Sequence, residues 1–324
     1  MYEIKRWGKK MMDFLFFPFT YLAALWYRFI ITKGIGFFSL SDSVFMKVGV
    51  LPIIDHYYHP MINPKKYLHK SLREDRKLLG INLNDEVQLA LLKQFSYNGE
   101  LLAIPADNIE KRAGSYYYNN GLFGPGDAEI LYSVIRHFKP RRIIEVGSGY
   151  STLASLKAID TNKKEDTGYS CNFTCIEPYE RPWLETLGVN VQRTLVEKSD
   201  PAFFASLEEN DILFIDSSHI IRPQGDVLFE YLEILPLLKK GVIVHVHDIF
   251  TPKDYLDSWV LESHTLWNEQ YILEAFLSYN DRFEIICALN YLYYHHTDEL
   301  MAGCPVLKDD RRIEPRSIWF KKTQ

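Results

Sequence analysis

The 324-residue chain is short of several things, and each shortage removes a class of function. It has four cysteines, and only Cys171 and Cys175 lie close together. Their spacing matches no standard zinc or redox pair, so the expectation is four reduced thiols in a cytoplasmic protein. It has no basic excess: a net charge of −5 carries no global nucleic-acid footprint. Internal repeats and low-complexity tracts are absent too. The uncharged run from Phe14 to Tyr27 is shorter than the roughly 20 apolar residues that span a bilayer. No small-residue cleavage site follows it, which speaks against a secretory signal.

What is present is an ordinary globular composition, 47% hydrophobic and 24% charged, with a high 15% of aromatics. Lys5, Arg6, Lys9 and Lys10 precede the apolar run, Pro18 interrupts it, and Arg28 and Lys33 follow. Residues 1–33 therefore read as a helix on the inner membrane surface, as one packed on the main domain or a dimer partner, or as a full signal-anchor. Residues 34–115 form a mixed extension with an irregular, proline-containing stretch around Asp55–His59 and an amphipathic helix near 84–96.

From about residue 116 the pattern changes. A helix, Asp127–Phe138, stops before Pro140. Apolar strands are expected at Arg142–Glu145, Phe173–Ile176, Asn190–Leu195, Ile212–Ile215 and Val242–His247. Helices are expected at Ser151–Ile159, Trp183–Leu187, Pro201–Leu207, Gln224–Leu238 and Leu266–Tyr279. Such alternation predicts a parallel α/β sheet covered on both faces. Two late strands, Phe283–Leu289 and Ser317–Lys321, show no helical pattern between them and suggest an antiparallel hairpin closing the sheet.

Ligands of open α/β sheets bind beyond the carboxyl ends of the strands, so the residues there carry the argument. The first strand ends in Glu145, followed by Gly147-Ser148-Gly149 and a helix beginning near Tyr150 and Ser151. Such a turn brings backbone close to a ligand and presents free N–H groups. Glu177 ends the second strand, where an acid suits a ribose diol. Asp216 ends the fourth, with His219 three residues on. His245, His247 and Asp248 end the fifth; His245 and His247 share one face, and His247, nearer the end, is the better functional candidate. His219 is the candidate general base because a free imidazole titrates near neutrality.

The third glycine of a strict dinucleotide fingerprint is missing: Thr152 stands there. Residues from about 120 onward resemble the class I S-adenosylmethionine-dependent methyltransferases. The resemblance rests on the acid-x-Gly-x-Gly loop (Glu145, Gly147, Gly149), the ribose acid Glu177, and the stretches DILFIDSSH, RPQGDV, VHVHDIFTP and WNEQYILEAFL. These point to a bacterial branch linked to methylation of sugars and secondary metabolites. GPGDAEILYSVIRHFKP resembles the entry helix of the catechol-type O-methyltransferases.

The resemblance implies a Rossmann-like, seven-stranded, mostly parallel sheet over residues 116–324, ending in an antiparallel hairpin. It implies S-adenosylmethionine held by Glu145, Gly147, Ser148, Gly149, Tyr150, Ser151, Glu177 and Asp216, and O-methylation of a sugar-like or small polar acceptor. His219, Asp216 and His247 are the implied catalytic residues. Asp216 and Asp248 match two acids that hold Mg²⁺ in the catechol-type enzymes; Ile249 stands where the third ligand, an Asn, is expected. Replacement of that Asn by imidazole would favour Mn²⁺, Fe²⁺ or Zn²⁺. Arg222, Gln224, Asp226, Glu269 and Gln270 read as acceptor contacts or helix caps, and Tyr116–Tyr118 as a lid or as packing. Two alternatives stay open: an NAD- or nucleotide-sugar-dependent oxidoreductase, and a non-catalytic membrane-surface module. The expected partners are a small-molecule or saccharide acceptor, a membrane surface met through residues 1–33, and further copies of the chain.

Overall fold

The computed structural model describes residues 2–108, 114–179, 181–309 and 313–324. The chain forms two compact units: residues 1–71 with 260–266, and residues 72–259 with 267–324.

In the first unit, Tyr2–Lys33 is one continuous helix of 32 residues that absorbs Pro18. It extends well beyond the uncharged run of the sequence, and its segment Lys5–Lys33 is long and apolar enough to cross a membrane. Gly34, at φ +95°, ends it, and a second helix follows at Ser39–Val48. The two are joined by ring contacts, Trp26 against Phe38 at 5.9 Å and Tyr27 against Phe45 at 5.2 Å.

The second unit is built on a seven-stranded sheet. The strands are β1 (Arg142–Val146), β2 (Asn172–Ile176), β3 (Asn190–Gln192), β4 (Ile212–Ile215), β5 (Ile243–His247), β6 (Phe283–Ala288) and β7 (Ser317–Lys322). Their order is β3-β2-β1-β4-β5-β7-β6. The first five run parallel, and β7 is antiparallel to both of its neighbours. The Rossmann-like arrangement expected from the sequence is present.

The closing pair differs in one respect. Helices at Leu289–His295, Thr297–Gly303 and Pro305–Asp309 lie between β6 and β7. Each has nine residues or fewer in its range, too short for a periodic stripe to declare it in the sequence. The strands pair as expected, but across a helical excursion, and β7 slots inside the sheet while β6 takes the edge.

The central strands are mainly apolar because both faces of the sheet are covered. Ile143, Cys175, Phe214 and Ile243 face one core with the helices Asp127–Phe138 and Tyr150–Glu165. Ile144, Ile176, Leu213, Ile215, Val244 and Val246 face the other, with Asp226–Phe229 and Glu269–Leu277. Each large buried side chain contributes on the order of 2 kcal/mol.

Register then sets the position of the site. Val146 is paired with Ile176 and with Ile215, and Ile215 with Val246. The residues one step on, Gly147, Glu177, Asp216 and His247, therefore share one row at the carboxyl edge. Residues 72–108 belong to the same unit: Gln88 bonds the Ala288 amide at 2.6 Å, and Glu100 pairs with Arg136 at 2.8 Å.

Candidate active site

The glycine turn is held by backbone contacts and sterics. Gly147, at φ +76°, donates its N–H to Ile176, and the Asp216 N–H reaches Val146. A Cβ on Gly147 would lie 1.8 Å from the Asp216 carbonyl oxygen, so no other residue fits. Gly149 is different: its φ of −174° is ordinary extended backbone, and an added Cβ would meet nothing nearer than Arg181 at 4.0 Å. Gly147 is needed for the protein's own packing, whereas Gly149 leaves open space over the turn. The buried Ser148 hydroxyl has no partner there apart from the Cys175 thiol beside it. The open space over Gly149 fits a ligand such as the cofactor.

Glu145 points away from that cradle. It is fully buried and accepts hydrogen bonds from Ser151 Oγ at 2.6 Å and from Thr152 Oγ1. Burial pushes its carboxyl up to about 7, against the pull of those hydroxyls. Its role is to tie the turn to the first residues of the following helix. Ser151 is consumed in the same way. Glu177 faces the turn itself, accepting from the amides of Ser148 at 3.2 Å and Tyr179 at 3.0 Å. Tyr150 meets Tyr117 through their hydroxyls at 3.2 Å, with Arg181 over its ring. Tyr116 and Tyr118 are core residues bonded to the carbonyls of Phe123 and Leu101, so of the three tyrosines only Tyr117 reaches over the turn.

Opposite this turn, β4 and β5 bring Asp216, His219, His247 and Asp248 together. His219 Nε2 lies 3.3 Å from Asp216 and 3.5 Å from Asp248. Its Nδ1 meets Glu269 at 2.7 Å, and its ring packs on Trp267 with centroids 4.2 Å apart. His219 sits at φ +61° and Asp248 at +55°, left-handed turns that re-aim both side chains as the chain leaves the strands. His247 Nδ1 lies 3.5 Å from Asp216 and 3.7 Å from Asp248, and its Nε2 is 3.9 Å from Asp127. Arg316, at the start of β7, completes the set with Nε 2.7 Å from Asp248.

The charges decide the protonation states. Burial opposes charging His219, but Asp216, Glu269 and Asp248 raise its pKa well above that of a free imidazole. Burial likewise opposes His247, yet Asp248 and Asp216 hold it up to about 10. Asp216 is driven well below the usual carboxylate range: burial works against this, and His247 and His219 outweigh it. His219 therefore does not have the near-neutral pKa expected of it as a base. His245 behaves oppositely. It is fully buried, stacks on Phe214 at 3.8 Å, and burial holds it well below a free imidazole, as a packing residue.

Asp216, His219 and Asp248 offer ligand atoms within 4.8 Å of one another. Glu269 fixes the His219 ring with Nε2 toward the two acids, as outer-shell carboxylates do behind metal-bound histidine. This donor set fits a divalent cation, with the imidazole in place of the Asn that Ile249 lacks. Ile249 itself is buried in the core.

Two residues that bear on the site, Asp127 and Arg316, carry no site reading in the sequence. Asp127 bonds Ser317 Oγ at 2.7 Å and faces His247. Arg316 lies in no recognisable motif. Glu269 was read as a possible acceptor contact, but it and Gln270 are fully buried: Glu269 accepts from Tyr231 at 3.1 Å, and Gln270 from the Phe250 amide at 2.6 Å. Neither reaches an acceptor. Asp226 caps the Ser218 turn, accepting from its N–H at 2.8 Å and Oγ at 2.7 Å, while Arg222 is exposed.

Comparison with known proteins follows this geometry. A family described as a methyltransferase domain matches residues 144–249, the stretch from β1 to the end of β5. An uncharacterized protein of Archaeoglobus fulgidus is 35% identical over 183 residues, covering 53% of this chain and 80% of that one. Among solved structures, an O-methyltransferase from Bacillus cereus in complex with SAH covers 81% of this chain and 95% of its own, at 12% identity and a TM-score of 0.36. The O-methyltransferase TomG from Streptomyces achromogenes, in complex with SAM, covers 75% and 92% at 14% identity and a TM-score of 0.35. Likenesses this distant say nothing of an acceptor.

Proposed function

From the premise that the chain belongs to the class I S-adenosylmethionine-dependent methyltransferases, we propose that it methylates a hydroxyl oxygen of a sugar-like or small polar acceptor. The observation that carries this reading is the cluster of Asp216, His219 and Asp248 one strand away from the glycine turn. A hydroxyl acceptor needs a polar surface that orients it and takes its proton; an apolar or purely cationic wall would supply neither.

The donor half would seat the cofactor over Gly149, with Glu177 toward the ribose and Tyr117 and Tyr150 beside it. Across from it, Asp216 is the most exposed member of the acid–histidine cluster, with 29% of its side chain open. The acceptor hydroxyl would donate to Asp216 Oδ1. As oxygen attacks the sulfonium methyl, the new C–O bond forms, the C–S bond breaks with its electron pair going to sulfur, and the hydroxyl proton becomes strongly acidic. Even a carboxylate held well below its usual range can then take that proton. His247, protonated, keeps Asp216 ionised and aimed; His219 does the same as a cation, and would give up its Nε2 proton to serve as a metal ligand. Asp216, His219 and Asp248 would hold a divalent cation, which when bound would position the hydroxyl and lower its pKa. Four free cysteines favour a cytoplasmic setting for this chemistry.

Titration calorimetry with S-adenosylmethionine and with its demethylated product, with and without Mg²⁺ and Mn²⁺, tests the donor half. Binding of neither compound would overturn it, and binding unchanged by either metal would argue against the cation. Transfer of a labelled methyl group to a panel of polyhydroxylated small molecules tests the acceptor class. Label found on nitrogen or carbon nucleophiles alone would remove O-methylation.

A further inference from the structure

The Tyr2–Lys33 helix differs from every helix of the second unit in what it exposes. Phe14, Leu15, Phe16 and Phe17 are consecutive, and their exposures are 85%, 66%, 51% and 64%. At about 100° per residue, four neighbours face nearly all directions round the axis. Phe19, Tyr21, Leu22 and Leu25 continue the pattern. Only 6% of the most apolar 18-residue window is buried. A helix that lies on a membrane surface needs a polar face opposite its apolar one, and none exists between Phe14 and Tyr27. A helix apolar all round belongs either inside a core or inside a bilayer, and here the core is excluded by exposure.

We propose that this helix crosses the hydrocarbon layer of a membrane, so that the catalytic unit is tethered covalently to it. Dimensions support spanning. Trp7 and Trp26 are about 28 Å apart along the axis at 1.5 Å per residue, close to the roughly 30 Å hydrocarbon thickness, and tryptophan favours both interfaces. Lys5 and Arg6 flank one end and Arg28 and Lys33 the other, while Lys9 and Lys10, within about 5 Å of Trp7 along the axis, have stems long enough to reach the headgroups. Asp13, the one acid between Trp7 and Trp26, stands three and four residues after Lys10 and Lys9, on their face of the helix. Beyond Gly34 the chain stays apolar at Phe37 and Leu40, exposed by 88% and 85%, which suits a second contact with the interface.

The test uses the full chain reconstituted in vesicles of phosphatidylethanolamine and phosphatidylglycerol. A nitroxide is placed by Trp7→Cys, Phe17→Cys or Trp26→Cys, and signal from the native cysteines is subtracted using the unsubstituted chain. Spanning predicts a deep Phe17 label, near the bilayer centre, with shallow labels at 7 and 26. Equal shallow depth at all three would mean a surface helix and overturn the proposal. Free access of a water-soluble relaxer at 17, or a chain recovered with this helix cleaved off, would overturn it as well. In cells, the doubly substituted Phe17→Lys, Leu22→Lys chain should leave the carbonate-resistant membrane pellet for the soluble fraction while still binding the methyl donor. Retention of that variant in the pellet would also defeat the idea.

Discussion

The two halves of the strand-end site are built on different physics. On the donor side, β1 and β2 present a turn fixed by sterics and backbone hydrogen bonds: Gly147 against Asp216, Glu177 on the Ser148 amide, Glu145 tied to Ser151 and Thr152. On the acceptor side, β4, β5 and β7 present charge: Asp216, Asp248, Asp127 and Glu269 against His219, His247 and Arg316. A sterically fixed cradle suits a ligand that never varies. A charged cluster can be retuned by single substitutions, which suits the half proposed to choose an acceptor and manage a proton.

The largest test of this contrast is Gly147→Ala. Its Cβ collides with backbone that cannot move without parting β1 from β4, so a loss of at least ~3 kcal/mol and no measurable donor binding are expected in thermal melts and calorimetry. Gly149→Ala should leave the melt within about 0.5 kcal/mol of the parent while weakening donor binding. Equal destabilisation by both would erase the distinction between a packing glycine and a ligand-facing one.

Next in size is Asp216→Asn. Turnover should fall on the order of 10²-fold with donor affinity largely kept, as single-turnover kinetics beside calorimetry would reveal. Donor binding lost in parallel would move Asp216 to the donor half. Glu269→Gln, which touches neither ligand, should cost about tenfold in turnover and bring the His219 imidazole pKa down in an NMR titration. An unchanged pKa would make Glu269 mere packing.

The halves should also separate by pH. Glu145 rises from 4.5 to about 7 on folding, and His247 from 6.5 to about 10. In both intervals the native state binds more protons than the unfolded chain, so stability falls as pH rises. The donor-side contribution is full below 4.5 and gone above about 7; the acceptor-side one is full below 6.5 and gone above about 10. Glu145→Gln should flatten the first slope in part, because buried Glu129 also rises to about 7. His247→Gln should leave the first slope and flatten the second in part, because His219 also rises well above 6.5. Denaturant melts across pH decide it. The smallest effect is expected from Tyr117→Phe, which removes one hydroxyl contact with Tyr150: melts within about 0.5 kcal/mol and a donor affinity lower by roughly twofold.

Strand positions were legible because a doubly covered sheet demands unbroken apolar runs, and β1, β2 and β4 lie within a residue of where those runs stand. Glu177, Asp216 and His247 stand out as polar residues just where apolar runs end, and Gly147 as the glycine of a turn, although Glu145, which ends the first run, faces away from the cleft. The three helices between β6 and β7 were not, since short helices held by packing leave little periodic trace. Arg316 and Asp127 were hidden for another reason: they meet the site through β7 and the Asp127–Phe138 helix, far from it in sequence. The unbroken length of the first helix was obscured by Pro18 and by charges near its ends.

By itself, the sequence determined the alternation of strand and helix, the glycine turn, and which strands end in acids and histidines, because local patterning and the strand period carry that information. Only the tertiary structure decided the charge states and roles. Whether an imidazole is a base, a positioning cation or packing depends on which carboxylates and rings surround it. His219, His247 and His245 differ in their neighbours, several of which, Glu269, Asp127 and Trp319 among them, are distant in the chain.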